Sequence, residues 1–143
     1  RNKTLGGGSL KAIVCLDKSR GMMFNNRRQS RDEILNEKVS ALVGDGRLYL
    51  NEYSSKLFEG KCTLAESDDF CQMAGDDDFC FIENTAVPIN EVKELYIFWW
   101  NRDYPGDTYF SYDPAEYGFK RIKKEDFIGN SHKKITLEIY RRD

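Results

Sequence analysis

One apolar run, Leu95-Tyr96-Ile97-Phe98-Trp99-Trp100, does most to limit what this chain can fold into. A run of that length, apolar throughout, reads as a strand. Residues 11–16 (Lys-Ala-Ile-Val-Cys-Leu), ended by Asp17, have the pattern of a central strand covered on both faces, and residues 79–82 (Phe-Cys-Phe-Ile) read as another buried strand. Strands buried on both faces need a layer on each side, so these runs predict the centre of a mostly parallel α/β sheet. Trp99 and Trp100 are adjacent and must face opposite sides of their strand. One is expected in the core, and the other joins Tyr104, Tyr109 and Tyr112 in an aromatic cluster suited to a homodimer contact.

The remaining elements fall between these strands. Ser30-Arg31-Asp32-Glu33 has the spacing of a capping box, with Ser30 capping the helix and Glu33 reaching back to it. Ile34, Leu35, Val39 and Leu42 follow at helical intervals and Gly44 stops the pattern, so a helix is predicted over 31–43. Residues 47–51 and 62–65 read as strands, 52–58 as a helical turn, and 21–28 as a loop. Ile135, Leu137 and Ile139 alternate with Thr136, Glu138 and Tyr140, which predicts a half-buried antiparallel strand over 133–140 that pairs beside 94–100. Asp76-Asp77-Asp78 reads as a solvated loop. Residues 1–10 contain Gly6-Gly7-Gly8-Ser9 and have the composition of a linker, leaving 11–143 as a single domain.

Charge and cysteine usage narrow the partners. With 22 basic and 24 acidic residues there is no overall field for nucleic acid or an anionic membrane. No apolar stretch reaches the 18 or so residues of a membrane span. Cys15, Cys62, Cys71 and Cys80 form no Cys-x-x-Cys pair, and His132 is the lone histidine. Reduced core thiols, no metal site and a cytoplasmic location are the expectations.

Three segments, in order, carry a resemblance to a known family. Residues 11–21 give an opening strand followed by Asp17-x-x-x-Gly21. Residues 93–110 give Glu94-Leu95-Tyr96-Ile97 and then Gly106-Asp107-Thr108-Tyr109-Phe110. Asn130-Ser131-His132 leads into Ile135-Thr136-Leu137-Glu138-Ile139-Tyr140-Arg141-Arg142. The set resembles dihydrofolate reductase over most of residues 11–142. That resemblance implies a three-layer α/β fold with a mixed, mostly parallel sheet. The segment 67–79 is shorter than the family's, which implies a domain trimmed in its cofactor-binding half.

The positions that do the family's work are different here. The acidic residue that meets the pterin corresponds to Asp32 or Glu33, the catalytic candidates if the chain is active, although helix capping accounts for both. The supporting threonine corresponds to Phe98, which cannot hydrogen-bond. The phosphate-binding Gly-Arg-x-Thr corresponds to Asn51-Glu52-Tyr53-Ser54, the Ser-Arg that meets the 2'-phosphate to Ala65-Glu66, and the Gly-Gly to Glu83-Asn84. Acid or bulk at Glu52, Glu66, Glu83 and Asn84 opposes the cations and close backbone approach that a dinucleotide phosphate requires. The expectation is that NADPH is not bound in the family's pose.

Arg27, Arg28 and Arg31, with Asn25, Asn26 and Gln29, make the most concentrated cationic and amide-rich stretch. It reads either as a solvated loop or as a site for a small anionic or planar polar ligand, walled by Met22, Met23 and Phe24. Asp107 after Gly106 reads as a turn residue that bonds a nearby amide. His132 is expected to have a surface or hydrogen-bonding role, since its sequence neighbour Ser131 makes no triad with it. The function class expected is a repurposed, non-reductase homologue that binds a small polar ligand or a protein partner. The alternative is an oxidoreductase acting on a pterin-like substrate with an altered cofactor or cofactor pose.

Overall fold

The computed structural model describes residues 9–67 and 69–143, with Phe70 described by its backbone alone. The linker-like residues 1–8 lie outside this range, and the first strand begins at Leu10, which is sealed in the core. The strands are β1 (Leu10–Leu16), β2 (Gly21–Phe24), β3 (Arg27–Arg28), β4 (Arg47–Leu50), β5 (Thr63–Glu66), β6 (Phe79–Phe81), β7 (Val92–Trp99), β8 (Thr108–Tyr109), β9 (Lys120–Phe127) and β10 (Ile135–Arg141). The helices are α1 (Glu33–Val43), α2 (Glu52–Ser55) and α3 (Phe70–Met73), with 3-10 turns at Ile89–Glu91 and Pro114–Tyr117.

Seven strands form the main sheet in the order β5-β4-β6-β1-β7-β10-β9. β1 pairs in parallel with both β6 and β7, β4 with both β5 and β6, and β10 runs antiparallel between β7 and β9. The continuous apolar runs are therefore the central strands, as their burial on two faces requires. Alternate residues of β1 feed two cores. Ile13 joins Leu35, Val39 and Val43 of α1, while Ala12 and Val14 face Met22, Met23, Val87 and Phe110 on the other side. That second layer is α3, the 3-10 turns and a small sheet, β3-β2-β8, in place of long helices.

Several sequence expectations change. The stretch 21–28 is a hairpin and not a loop: Asn25 and Asn26 take φ of 52° and 61°, the left-handed pair that a two-residue turn demands. Helix α1 is capped by Asp32, whose carboxylate accepts from the Ile34 and Leu35 amides, so Ser30 is no cap and Glu33 pairs with Lys61 and Arg31 instead. β10 is buried on both faces, because it lies inside the sheet. Thr136 bonds Asp126, and Glu138 accepts from the Trp99 indole and Arg121. β9, whose run of lysines has no apolar alternation, is an exposed edge strand. Among the described residues, no disulfide joins the four cysteines and no helix is long and apolar enough to cross a membrane.

Candidate functional site

In a parallel sheet, ligands meet the carboxyl ends of the strands. Here those ends are Asp17 after β1, Asn51 after β4, Glu83 after β6 and Trp100 after β7. Asp17 is buried and accepts from the Ser19 and Gly21 amides at 2.9 and 2.7 Å, the Gln29 side chain at 3.2 Å and the Tyr104 amide at 3.2 Å. It ties the loop after β1 to the hairpin and to the turn before β8. Asp107 adds a second tie, accepting from the Asn25 amide at 3.1 Å across the chain and not from an amide in its own turn.

Arg28 lies across the crevice. Its guanidinium donates to both carboxylate oxygens of Glu83, at 2.9 and 3.0 Å, and stacks 4.4 Å from the centre of the Tyr53 ring. Ser54, wholly buried, donates its hydroxyl to the same Glu83 at 2.7 Å, and Asn51 donates to Asn84 at 2.7 Å. The fork of arginine matches a carboxylate at both oxygens, and a pair so held and shielded is strong. What remains behind Arg28 is a cavity of about 10 Å³ among Cys15, Met22, Ser30, Ile82, Glu83 and Trp100, space for one water at most. Burial, and next the Glu83 carboxylate, push the Cys15 thiol up, so it stays protonated.

Two of the four positions expected to reject a dinucleotide phosphate are tied to the segment after β4. Glu83 and Asn84 bridge the ends of β6 and β4, while Glu52 and Glu66 remain exposed acids at the ends of their strands. The crevice at these strand ends is crossed by protein groups and bordered by negative charge.

Asp32 is also enclosed. Its Oδ1 accepts from the amides of Ile34, Leu35 and Asn130, and its Oδ2 from the amide and hydroxyl of Ser131 and from His132 Nδ1 at 3.0 Å. Burial pushes the carboxyl up, but the Ser131 amide, His132 and the Asn130 and Leu35 amides outweigh it. They hold Asp32 well below the usual carboxylate range. Gly129 makes the approach possible, since a Cβ there would stand 2.7 Å from Asp32 Cγ. His132 is not on the surface: it is 5% exposed, stacks on Trp100 at 4.6 Å between ring centres, and meets the hydroxyls of Ser30 and Tyr104 through Nε2 at 3.0 and 3.1 Å. Sequence reasoning singled out Asp32 and missed this partner, 100 residues away, together with Tyr104 and Asp17.

The other candidates divide. Phe98 is fully buried in the α1-side core against Phe127, so it lines no cleft, and Met23 is likewise sealed. Met22 borders both the 10 Å³ cavity and a depression of about 240 Å³ beside Val87 and Phe110. Arg31 and Glu52 border a depression of about 510 Å³ with Tyr53 and Lys56. Arg27 and Arg28 border one of about 530 Å³, with Phe24, Asn25, Gln29, Tyr104 and Pro105. Arg27 is exposed and forms no ion pair with another described residue. Among the described residues no cluster of three or more His, Cys, Asp or Glu is placed to hold a metal ion.

The mixed seven-stranded sheet with β10 antiparallel beside β7 has the fold of dihydrofolate reductase. Over 95% of this chain and 97% of the other, it is similar to dihydrofolate reductase from Enterococcus faecalis complexed with NADP(H) and RAB-propyl, with a TM-score of 0.66 and 11% identity. At that identity the likeness establishes the fold alone. No family model and no curated protein matches the sequence.

Proposed function

We propose that this chain is a dihydrofolate reductase-fold protein that does not carry out NADPH-dependent reduction of dihydrofolate. Its working surface is the depression of about 530 Å³ beside Arg27, which takes a small polar, anionic ligand. The observation that supports this most is the Arg28–Glu83 pair laid across the old crevice, with a cavity of only about 10 Å³ behind it. Asp32, the carboxylate that a pterin would need, has every lone-pair direction engaged by protein donors. Arg27 offers a guanidinium with no ion pair to another described residue, Phe24 and Tyr104 offer ring faces, and Asn25 and Gln29 offer amides, a set suited to a planar carboxylate.

Thermal denaturation with a panel of aromatic carboxylates, NADPH and dihydrofolate tests the reading. A carboxylate at about 100 times its dissociation constant adds about 2.7 kcal/mol, a rise of about 5–10 °C for a domain of this size. The rise should vanish in Arg27→Ala, and NADPH should give none. Enzyme-like oxidation of NADPH by the purified protein with dihydrofolate, lost on substitution of Asp32 or Glu33, would overturn the proposal in favour of an altered-pose reductase. Self-association is a second reading, favoured by Phe24 and Tyr109, 42% and 51% exposed on the adjacent strands β2 and β8. Light scattering that finds only monomer at high concentration removes it.

A further inference from the structure

Helix capping explains Oδ1 of Asp32 and leaves Oδ2 over. That second oxygen meets His132 Nδ1 at 3.0 Å, and the opposite ring nitrogen, Nε2, stands 3.0 Å from Ser30 Oγ and 3.1 Å from the Tyr104 hydroxyl. An ionised carboxylate on Nδ1 keeps the proton there, so Nε2 is free to accept from a hydroxyl. The imidazole is fixed in place by its stack on Trp100. Burial is graded along the line: the side chains of Asp32 and His132 are 0% and 2% exposed, whereas Ser30 keeps part of its surface open. Hydroxyl, imidazole and carboxylate in this order and at these distances are what activates a serine, and the arrangement is recognised by geometry and not by chain order.

We propose that Ser30 is an acyl-accepting nucleophile, with His132 as its base and Asp32 as the residue that positions His132, acting on small carboxylic esters that carry an anionic group. The anionic part of that substrate class rests on the ligand reading above; the nucleophile does not. Tyr104 connects the two places, since its ring borders the Arg27 depression while its hydroxyl lies 3.4 Å from Ser30 Oγ. The backbone N–H of Arg31, next after the serine, has no acceptor among the described residues and is the candidate donor to an oxyanion.

In the reaction, Ser30 Oγ attacks the ester carbonyl and passes its proton to His132 Nε2. The C–Oγ bond forms, the bond to the alcohol oxygen breaks, and Nε2 returns the proton to that leaving oxygen. Water then attacks the acyl carbon and gives a proton to Nε2. The C–Oγ bond breaks, Ser30 regains the proton, and a carboxylic acid leaves. The imidazolium formed twice in the cycle is held against the Asp32 carboxylate throughout.

The full chain, folded and heat-unfolded, is treated with an alkyl fluorophosphonate and mapped by mass spectrometry. In parallel, hydrolysis of p-nitrophenyl acetate and of the mono-p-nitrophenyl ester of succinic acid is followed. One adduct on Ser30 of the folded chain only is expected, with hydrolysis reduced about 100-fold or more in Ser30→Ala. No adduct on Ser30, an equal adduct on the unfolded chain, or hydrolysis unchanged in Ser30→Ala overturns the proposal. His132→Gln should abolish the adduct, and because the labelling uses the unaltered chain, a folding failure of that variant leaves the result intact. Arg27→Ala should raise KM for the succinyl ester about 10-fold more than for the acetate; equal effects overturn the anionic substrate class. A chain that binds aromatic carboxylates through Arg27 yet carries no adduct refutes the nucleophile and spares the ligand reading.

Discussion

Replacing Asp32 with asparagine exchanges one carboxylate oxygen for an NH2 group and tests whether this residue organises the site. The side-chain shape is kept, and the oxygen that accepts from Ile34, Leu35 and Asn130 keeps its donors. The new NH2 then faces the Ser131 amide, the Ser131 hydroxyl and His132 Nδ1, all of which now donate. The hydroxyl can turn and the imidazole can move its proton to Nε2, but the backbone amide cannot adapt. One stranded donor costs about 1–3 kcal/mol, and loss of the charge-assisted bonds costs about 1.5–3 kcal/mol more. Together they should remove about 3–5 kcal/mol, in line with breaking other buried pairs. Urea unfolding followed by tryptophan fluorescence measures this directly. With a slope of about 2 kcal/mol per molar, the midpoint should fall by about 1.5–2.5 M at neutral pH with the slope unchanged. A fall of less than about 0.5 M would refute the account of Asp32 as the hub of a buried network.

The same variant carries a pH signature with a definite sign. The folded state holds the Asp32 carboxyl below its usual range, so between that lowered value and about 4 the unfolded chain binds the extra proton. The stabilisation is therefore complete above about pH 4 and declines as the solution is made more acidic. The gap in stability between the natural chain and Asp32→Asn should narrow below about pH 4 and stay constant from there to neutrality.

Three further outcomes are expected. Gly129→Ala drives a methyl group into the Asp32 carboxylate and should cost about 1–3 kcal/mol in the same urea assay, a cost that Asp32→Ala as a second change largely cancels. Arg28→Met strands the shielded Glu83 and should cost about 3 kcal/mol, whereas Arg28→Met with Glu83→Leu should cost less than either single change; additive costs would show that the pair is not coupled. Burial, and next the Glu138 carboxylate, push the Tyr140 phenol up to about 12, so absorbance titration should show a late phenolate that Tyr140→Phe removes. Because the folded value is the raised one, that contribution to stability is full below about pH 10 and is lost as pH rises through about 12.

The sheet was legible in the chain where burial left a period to read. β1, β6 and β7 announce themselves as continuous apolar runs because both faces are covered, and β10 by its alternation with Ile135, Leu137 and Ile139. β9 was not, since an edge strand of lysines and acids is held by its register against β10 and by the Lys38–Glu125 pair, not by side-chain burial. The small sheet β3-β2-β8 has strands of two to four residues, too short for periodicity; its one available signal was the Asn25-Asn26 pair at the turn. The capping box at Ser30 was outcompeted by Asp32, whose charge meets two amides and the positive end of α1 at once. Nothing local could have joined Asp32 to His132 or Arg28 to Glu83, because those pairs exist only once the turn before β10 is brought to the start of α1 and the end of β6 to β3.

These pairings also bear on where stability resides. An open crevice keeps polar groups waiting for a ligand, and each waiting group weakens the free protein; here Arg28, Ser54, Asn51 and Asp32 have partners within the chain and contribute to folding. Ser30 and Arg27 break that pattern. Arg27 has no charged partner among the described residues, and Ser30 keeps an exposed side although its hydroxyl reaches His132. If those two are working residues and the others are structural, stability should separate them. Ser30→Ala and Arg27→Ala should each change the urea midpoint by an amount equivalent to about 0.5–1 kcal/mol or less, against about 3 kcal/mol or more for Arg28→Met and Asp32→Asn. A Ser30→Ala chain as unstable as Asp32→Asn would place the serine among the structural groups and leave the His132 arrangement as a means of closing the fold.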